Sequence, residues 1–147
     1  MLIPYYNKNN IIIYCGDCKD ILPLLDANSV DLVLTDPPYP KKFQYVYAYL
    51  ADYCPRVMSR GASLITIVGH FAIPDVIVKF NNELKYRWIF NMSQLEGKHA
   101  RMAMGIEVTW KPCLWYVKEV YPQGRGFIKD SFVVSGRGGQ IKSSHKW

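Results

Sequence analysis

The feature that most constrains the fold is a series of short apolar runs with helix-like segments between them. Val30–Leu34 (VDLVL) and Ala62–Val68 (ASLITIV) consist almost wholly of aliphatic, β-branched and small residues. Runs of this length and composition are typical of strands that are covered on both faces. Helical spacing occurs in Phe43–Met58, which lies between the two runs, and again in Ile73–Phe80. The alternation predicts an α/β domain with a mostly parallel sheet that is flanked by helices.

Three other runs complete the predicted sheet. Asn10–Cys15 and Tyr86–Met92 are short and rich in residues that favour strands, and Glu107–Val117 is a longer run that contains Pro112. Because proline cannot donate to a strand ladder, Pro112 predicts an edge position or a bulge for that strand. A short helix with proline in its first turn is expected over Lys19–Leu25. These elements predict a strand–helix–strand unit at the start of the chain.

Each of the first two predicted strands is followed by an acidic residue. These residues are Asp17 and Asp36. In open α/β sheets, ligands bind at the carboxyl ends of the strands. We therefore expect a binding site at this edge of the sheet, with both carboxylates close to it.

The second of these strand ends continues as Asp36-Pro37-Pro38-Tyr39. A residue before proline is kept out of the helical region, and successive prolines fix their φ angles and lack N–H donors. The Asp36 carboxylate and the Pro37 carbonyl can therefore accept hydrogen bonds, while the Tyr39 ring can stack on a flat ligand. Such a site would hold a heterocycle with an exocyclic amine, such as adenine, cytosine or guanine. The simpler interpretation is that an Asp-Pro turn only ends the strand.

The length and charge of the chain limit the classes of protein that it can belong to. Its 147 residues fit a single domain, 1–147. No apolar run is long enough to span a bilayer, and the first residues lack a signal-peptide pattern, so we expect a cytoplasmic protein without a membrane partner. The net charge is −3 over residues 1–40 and +9 over residues 41–147. This asymmetry fits a nucleic-acid partner and fits equally well a basic surface that is merely solvated.

Cationic residues beside the turn and in a later loop are candidates for contact with nucleic acid. Lys41 and Lys42 follow the turn, and Lys98 and Arg101 lie in the polar segment 93–105. Cations in such places commonly contact phosphates. From residue 121 onward the chain is Gly-rich and basic, which predicts a tail over 121–147.

The four cysteines do not predict a metal site. Cys15 and Cys18 form a C-x-x-C pair, but no second pair of cysteines or histidines completes a tetrahedral site. We therefore expect free thiols and no metal.

The stretch from Tyr14 to Tyr39 (YCGDCKDILPLLDANSVDLVLTDPPY) resembles the amino-group DNA methyltransferases, which modify adenine N6 or cytosine N4. The resemblance is to the permuted class, in which the D-P-P-Y motif precedes the Gly-rich cofactor loop. A later stretch, Ile106–Lys118 (IEVTWKPCLWYVK), is similar to the strands that follow the target loop in that family. The resemblance implies a Rossmann-like methyltransferase fold, S-adenosylmethionine as the cofactor and DNA as the partner.

The resemblance also implies roles for single residues. Asp36, Pro37, Pro38 and Tyr39 would form the catalytic turn. In that turn Tyr39 would stack on a base that has left the duplex, while Asp36 and Pro37 hold its amine. Asp17 would lie near the adenine of the cofactor, and Asp36 would also border the cofactor site. Aspartate at the first position of the motif favours adenine N6 over cytosine N4 as the target.

The Gly-rich cofactor loop of that family has no counterpart in the expected context. Gly136, Gly138 and Gly139 do not follow a clear strand or open a helix. We therefore expect a partial methyltransferase domain, incomplete on its C-terminal side, that holds only part of the S-adenosylmethionine site. A second chain, or a second copy of this one, could complete the fold.

Two other functions stay open at this stage. One is a nucleic-acid-binding fragment, either half of a split enzyme or a remnant without catalysis. The other is an RNA or protein amine methyltransferase. In those enzymes the Gly-rich loop usually precedes the turn, and too little chain precedes Asp36 to hold it.

Overall fold

The computed structural model describes residues 3–94, 100–121 and 127–134, which form a five-stranded sheet, two small hairpins and several helices. The strands, numbered in chain order, are β1 (Tyr6–Lys8), β2 (Ile11–Ile13), β3 (Val30–Thr35), β4 (Met58–Ile67), β5 (Lys85–Gln94), β6 (Ala100–Arg101), β7 (Glu107–Val108), β8 (Trp110–Val117) and β9 (Ser131–Val134). The α-helices are α1 (Cys18–Ile21), α2 (Tyr45–Val57) and α3 (Ile73–Phe80), and short 3-10 helices occupy Leu22–Leu24, Lys41–Phe43 and His70–Ala72. None of these described helices is long and apolar enough to cross a membrane.

The main sheet has the strand order β3-β4-β8-β5-β9. β3 is parallel to β4 and β5 is parallel to β9, whereas β8 is antiparallel to both of its neighbours. Four strands therefore run in one direction and β8 runs against them. Helices α2 and α3 provide the crossovers that strands of the same direction require. The predicted α/β domain, with a mostly parallel sheet flanked by helices, is confirmed.

The hydrophobic core lies between one face of the sheet and the helices α2 and α3. Its members on the helices include Tyr47, Leu50, Cys54, Val76 and Phe80, and those on the sheet include Leu64, Leu114 and Tyr116. The rings of Phe80 and Tyr116 stack with their centroids 5.0 Å apart. This packing fixes α2, and with it the loop between β3 and α2, against the end of the sheet.

The predicted strand Asn10–Cys15 is present as β2, but it lies outside the main sheet. The prediction that it belongs to the main sheet is therefore wrong. β2 pairs antiparallel with β1, with Lys8 opposite Ile11. Asn9 and Asn10 between them have φ angles of 53° and 60°, the left-handed conformation that a type I′ hairpin turn needs at both positions. Because this turn gives the isoleucines a neighbouring partner strand, no strand–helix–strand unit forms. Asp17 therefore does not lie at the end of a strand of the main sheet.

Among the described residues, β3 forms an edge of the sheet and has one covered face. Val33 packs against the core, whereas Leu32 and Leu34, which alternate with it, are 54% and 71% exposed. Leu34 is in register with Ile65 of β4, which is in register with Trp115 of β8. The side that carries these residues is named the open face. The expectation that both faces of this strand are covered is wrong for the described part of the chain.

β8 lies in the centre of the sheet although it contains Pro112. The Pro112 carbonyl accepts a hydrogen bond from the Val68 N–H over 3.0 Å. The N–H and carbonyl of one residue in an antiparallel pair face the same neighbour, so the missing donor of Pro112 also faces β4. The last register pair of β4 and β8 joins Ile67 and Cys113, and Pro112 lies just beyond it. The predicted edge position is wrong, because the proline removes a donor only where the ladder ends.

Candidate functional site

The turn from Asp36 to Tyr39 lies where two parallel strands end. Thr35, the last residue of β3, is in register with Thr66 near the end of β4. Gly69, which follows β4, packs against the turn, since a Cβ built on it would lie 3.6 Å from the Cβ of Tyr39. This edge of the sheet is where open α/β sheets bind their ligands.

A hydrogen bond joins two members of the turn. The Tyr39 hydroxyl donates to Oδ1 of Asp36 over 2.7 Å. Burial first, and then this bond to a carboxylate, raise the pKa of Tyr39 above its usual range. The hydroxyl therefore remains a donor at neutral pH and holds the carboxylate in one orientation. Pro37 is buried, while the Asp36 side chain stays exposed.

Tyr47 of α2 connects the turn to the core. Its side chain is buried, and its hydroxyl donates to the carbonyl of Ile67 over 3.3 Å. Burial, followed by the negative charge of Asp36, raises the pKa of Tyr47 to about 12. The Asp36 carboxylate therefore lies near Tyr47 in the first turn of α2, and Tyr47 is packed in the core.

A cavity of about 330 Å³ opens beside the turn. This volume is at the lower end of the range for small-molecule sites. The walls come from the turn, the chain after β4, the hairpin of β6 and β7, and the start of β8. Residues that line the cavity include Tyr39, Gln44, His70, Phe71, Met102, Val108, Trp110 and Lys111.

Aromatic and cationic side chains shape the interior of this cavity. His70 meets Trp110 edge-on, with ring centroids 4.9 Å apart and planes at 84°. The Lys111 Nζ lies 5.3 Å from the centroid of the Tyr39 ring, within the range of a cation–π contact. A flat ring that entered the cavity would meet aromatic surfaces and a cation, and one of those aromatic residues, Tyr39, is bonded to the Asp36 carboxylate.

The cations predicted to contact nucleic acid lie at several places around the cavity. Lys41 and Lys42 are exposed on the 3-10 helix that follows the turn. Arg101 is exposed on β6, directly before Met102 of the cavity wall. Lys98 lies outside the described residues, as does most of the predicted basic tail with its glycines. Within the described part of that segment, residues 131–134 form β9 of the main sheet instead of a tail. Exposed lysine and arginine side chains in these places can reach the phosphates of a bound nucleic acid.

Asp17 has a structural role in the described part of the chain. It is the N-cap of α1, where its Oδ1 accepts a hydrogen bond from the Lys19 N–H over 3.1 Å, and its Oδ2 lies 3.5 Å from the Lys19 Nζ. The hydrogen bond from the Lys19 backbone is the main reason why the pKa of Asp17 is lowered. The cavity lining contains other residues, so a shared site for Asp17 and Asp36 stays a prediction.

The sequence alone does not single out most of the cavity wall. His70, Trp110 and Lys111 carry no motif, and each reaches the site from a different part of the chain than the turn. One signal was available for His70, because Gly69-His70 directly follows a predicted strand, as the turn does. Trp110 and Lys111 are marked only by their place in the stretch Ile106–Lys118, whose resemblance does not single out either residue.

The chain has the Rossmann-like methyltransferase fold, as its similarity to solved structures shows. Neither a family model nor a curated protein matches the sequence. PvuII DNA methyltransferase, described as cytosine-N4-specific, is similar with a TM-score of 0.74 and 14% identity over 93% of this chain and 62% of that one. M1.HpyAVI in complex with SAM is similar with a TM-score of 0.63 and 15% identity, over 88% of this chain and 66% of that one. A Thermus thermophilus protein, described as a candidate DNA modification methylase, is similar with a TM-score of 0.60 and 19% identity, over 75% of this chain and 54% of that one. This chain thus spans 54% to 66% of the lengths of these three structures.

Proposed function

We propose that this chain carries the base-binding part of an S-adenosylmethionine-dependent DNA methyltransferase that modifies an exocyclic amine, with adenine N6 as the target. The observation that carries this proposal is the position of the Asp36–Tyr39 turn beside an aromatic cavity, at the ligand-binding edge of a methyltransferase fold. Two of the similar structures are described as a DNA methyltransferase and a DNA modification methylase, which supports DNA as the substrate. The choice of adenine rests on aspartate at the first position of the motif.

In this proposal the target base leaves the duplex stack and enters the cavity. The Tyr39 ring stacks on the base, and its hydroxyl keeps its bond to Oδ1 of Asp36. The second carboxylate oxygen of Asp36 and the carbonyl of Pro37 then accept hydrogen bonds from the two N–H groups of the amine. This arrangement fixes the direction of the nitrogen lone pair and places a negative charge where positive charge develops on nitrogen.

The cofactor, when bound, would supply an electrophilic methyl group. The described residues fit only part of a site for it, because the Asp36 carboxylate is bonded to Tyr39 of the cavity wall while the Asp17 carboxylate is engaged at the cap of α1. We propose that a second chain or a second copy supplies the rest of that site. Lys41, Lys42 and Arg101 contact phosphates in this proposal, and the protein acts in the cytoplasm.

The proposal is tested by measuring how the chain binds short single-stranded oligonucleotides with one central base varied, at fixed salt. The central base is adenine or purine, the same ring without the amine, and the other positions are thymine. A hydrogen bond to a charged group is worth about 1.5–3 kcal/mol, so adenine should bind roughly 10–100-fold more tightly. The Asp36→Ala variant should bind both oligonucleotides nearly equally.

Asp31→Ala is the matched control, since Asp31 lies near the other end of β3. This variant should keep the preference for adenine. Equal binding of the two oligonucleotides by the wild-type chain, or a preference that survives Asp36→Ala, would contradict the proposal. Salt-sensitive binding without such a preference would instead favour a nucleic-acid-binding fragment without a base site.

A further inference from the structure

Lys111 is a half-buried cation on the cavity wall, at the start of β8. No described carboxylate forms an ion pair with it, since the ion pairs of the described residues involve Lys19, Arg60 and Arg101. Its described contact is with the Tyr39 ring, 5.3 Å from Nζ to the ring centroid. An ammonium group has three donors, and a ring contact leaves them available to a ligand in the cavity.

Asp36 and Lys111 both reach the same aromatic ring. The Asp36 carboxylate is bonded to the Tyr39 hydroxyl, and the Lys111 ammonium lies over the Tyr39 ring. The buried thiol of Cys113 responds to both charges: burial raises its pKa most, the Asp36 charge raises it further, and the Lys111 charge lowers it. An acceptor and a cationic donor therefore both contact Tyr39, which lines the cavity together with Lys111.

Such a pair can read the edge of a nucleobase. In adenine the N6 amine is next to N1, a hydrogen-bond acceptor, and in cytosine the N4 amine is next to the acceptor N3. In guanine the N2 amine lies between the N1–H donor and the acceptor N3. An acceptor paired with a cationic donor thus matches the Watson–Crick edges of adenine and cytosine and opposes that of guanine.

We propose that Lys111 is a specificity-determining residue whose Nζ donates to the ring nitrogen beside the target amine, N1 in the case of adenine. This inference rests on the proposed function, because Asp36 must hold the amine for Lys111 to reach that nitrogen. It adds a second point of base recognition, on β8, to the one that the turn provides.

The test compares oligonucleotides whose central base is adenine or 1-deazaadenine, which has a C–H group in place of N1. The wild-type chain should bind adenine about tenfold more tightly, as expected for one hydrogen bond to a charged group. Lys111→Met keeps the length and apolar stem of the side chain but has no donor, so the ratio of the two affinities should fall to near one. Lys111→Arg keeps a cationic donor and should retain most of the ratio.

Lys42→Met is the matched control, because Lys42 also lies over an aromatic ring, with Nζ 5.0 Å from the centroid of Phe43. It should weaken the binding of both oligonucleotides by the same factor and leave the ratio unchanged. Equal binding of adenine and 1-deazaadenine by the wild-type chain overturns the inference whatever the variants do. An equal loss for both bases in Lys111→Met, with a smaller dependence on salt, also overturns it, because that result indicates a phosphate contact.

The two proposals fail separately. The preference for adenine over purine, and its loss in Asp36→Ala, tests the base site itself. If that preference holds while Lys111→Met leaves the 1-deazaadenine ratio unchanged, only the role of Lys111 is rejected.

Discussion

Replacement of Tyr116 by phenylalanine is expected to stabilise the protein. Tyr116 is fully buried in β8, and no described residue forms a hydrogen bond with its hydroxyl. Its ring stacks on Phe80 and meets Tyr86 edge-on, with centroids 5.0 and 5.8 Å away, and phenylalanine keeps both contacts. A buried polar group without a partner costs about 1–3 kcal/mol. Tyr116→Phe should therefore raise the free energy of unfolding by about 1 kcal/mol, or Tm by roughly 2–4 °C for a chain of this size.

The assay is thermal and urea unfolding followed by circular dichroism, with Tyr47→Phe as the matched control. Tyr47 is also buried, but its hydroxyl donates to the Ile67 carbonyl. Loss of that bond should lower the free energy of unfolding by about 0.5–1.5 kcal/mol, so the two substitutions should shift Tm in opposite directions. Destabilisation by Tyr116→Phe equal to that by Tyr47→Phe would refute the reasoning, because it would show that the Tyr116 hydroxyl is bonded in solution.

Three further predictions concern the turn, the first helix and the thiols. Tyr39→Phe keeps the ring but removes the bond that orients Asp36, so the preference for adenine over purine should fall several-fold in the oligonucleotide titration; an unchanged preference would exclude an orienting role. The pKa of Asp17 is lowered by folding, so its contribution to stability is present above its unfolded pKa of about 3.9 and is lost as pH falls through the folded value. The Tm of Asp17→Ala should thus lie below that of the wild type at pH 7 and approach it under strongly acidic conditions, and a gap that persists there would contradict this account. Burial raises the pKa of Cys54 to about 12, so iodoacetamide should modify the exposed Cys15 in the native protein and reach Cys54 only after unfolding, as measured by mass spectrometry.

The sequence predicts well most of the elements whose conformation is set by residues close to them in the chain. The predicted run Val30–Leu34 forms most of β3, which ends one residue later at Thr35. The turn after it lies at the end of the sheet, because successive prolines restrict the backbone whatever surrounds them. Helix α3 has the predicted bounds, Ile73–Phe80, with its proline in the first turn. For these segments the local preferences and the tertiary packing agree.

The elements that depend on distant partners could not be predicted in this way. β8 enters the sheet between β4 and β5, and strand order is set by contacts that span tens of residues. The far wall of the cavity, with Trp110 and Lys111, exists only because of that insertion. β2 is an exception among the locally determined elements: the Asn9-Asn10 turn pairs it with β1, and strand propensity alone does not identify the partner of a strand.

The open face has a consequence for the behaviour of the chain in concentrated solution. Leu34 on this face is 71% exposed, so a charged residue there should change the free energy of unfolding little. Apolar side chains on an exposed face of a sheet favour contacts between molecules. Leu34→Lys should therefore keep the wild-type Tm while it lowers the light scattering of concentrated samples. In that case Leu34 affects the colloidal stability of this polypeptide but not its thermal stability.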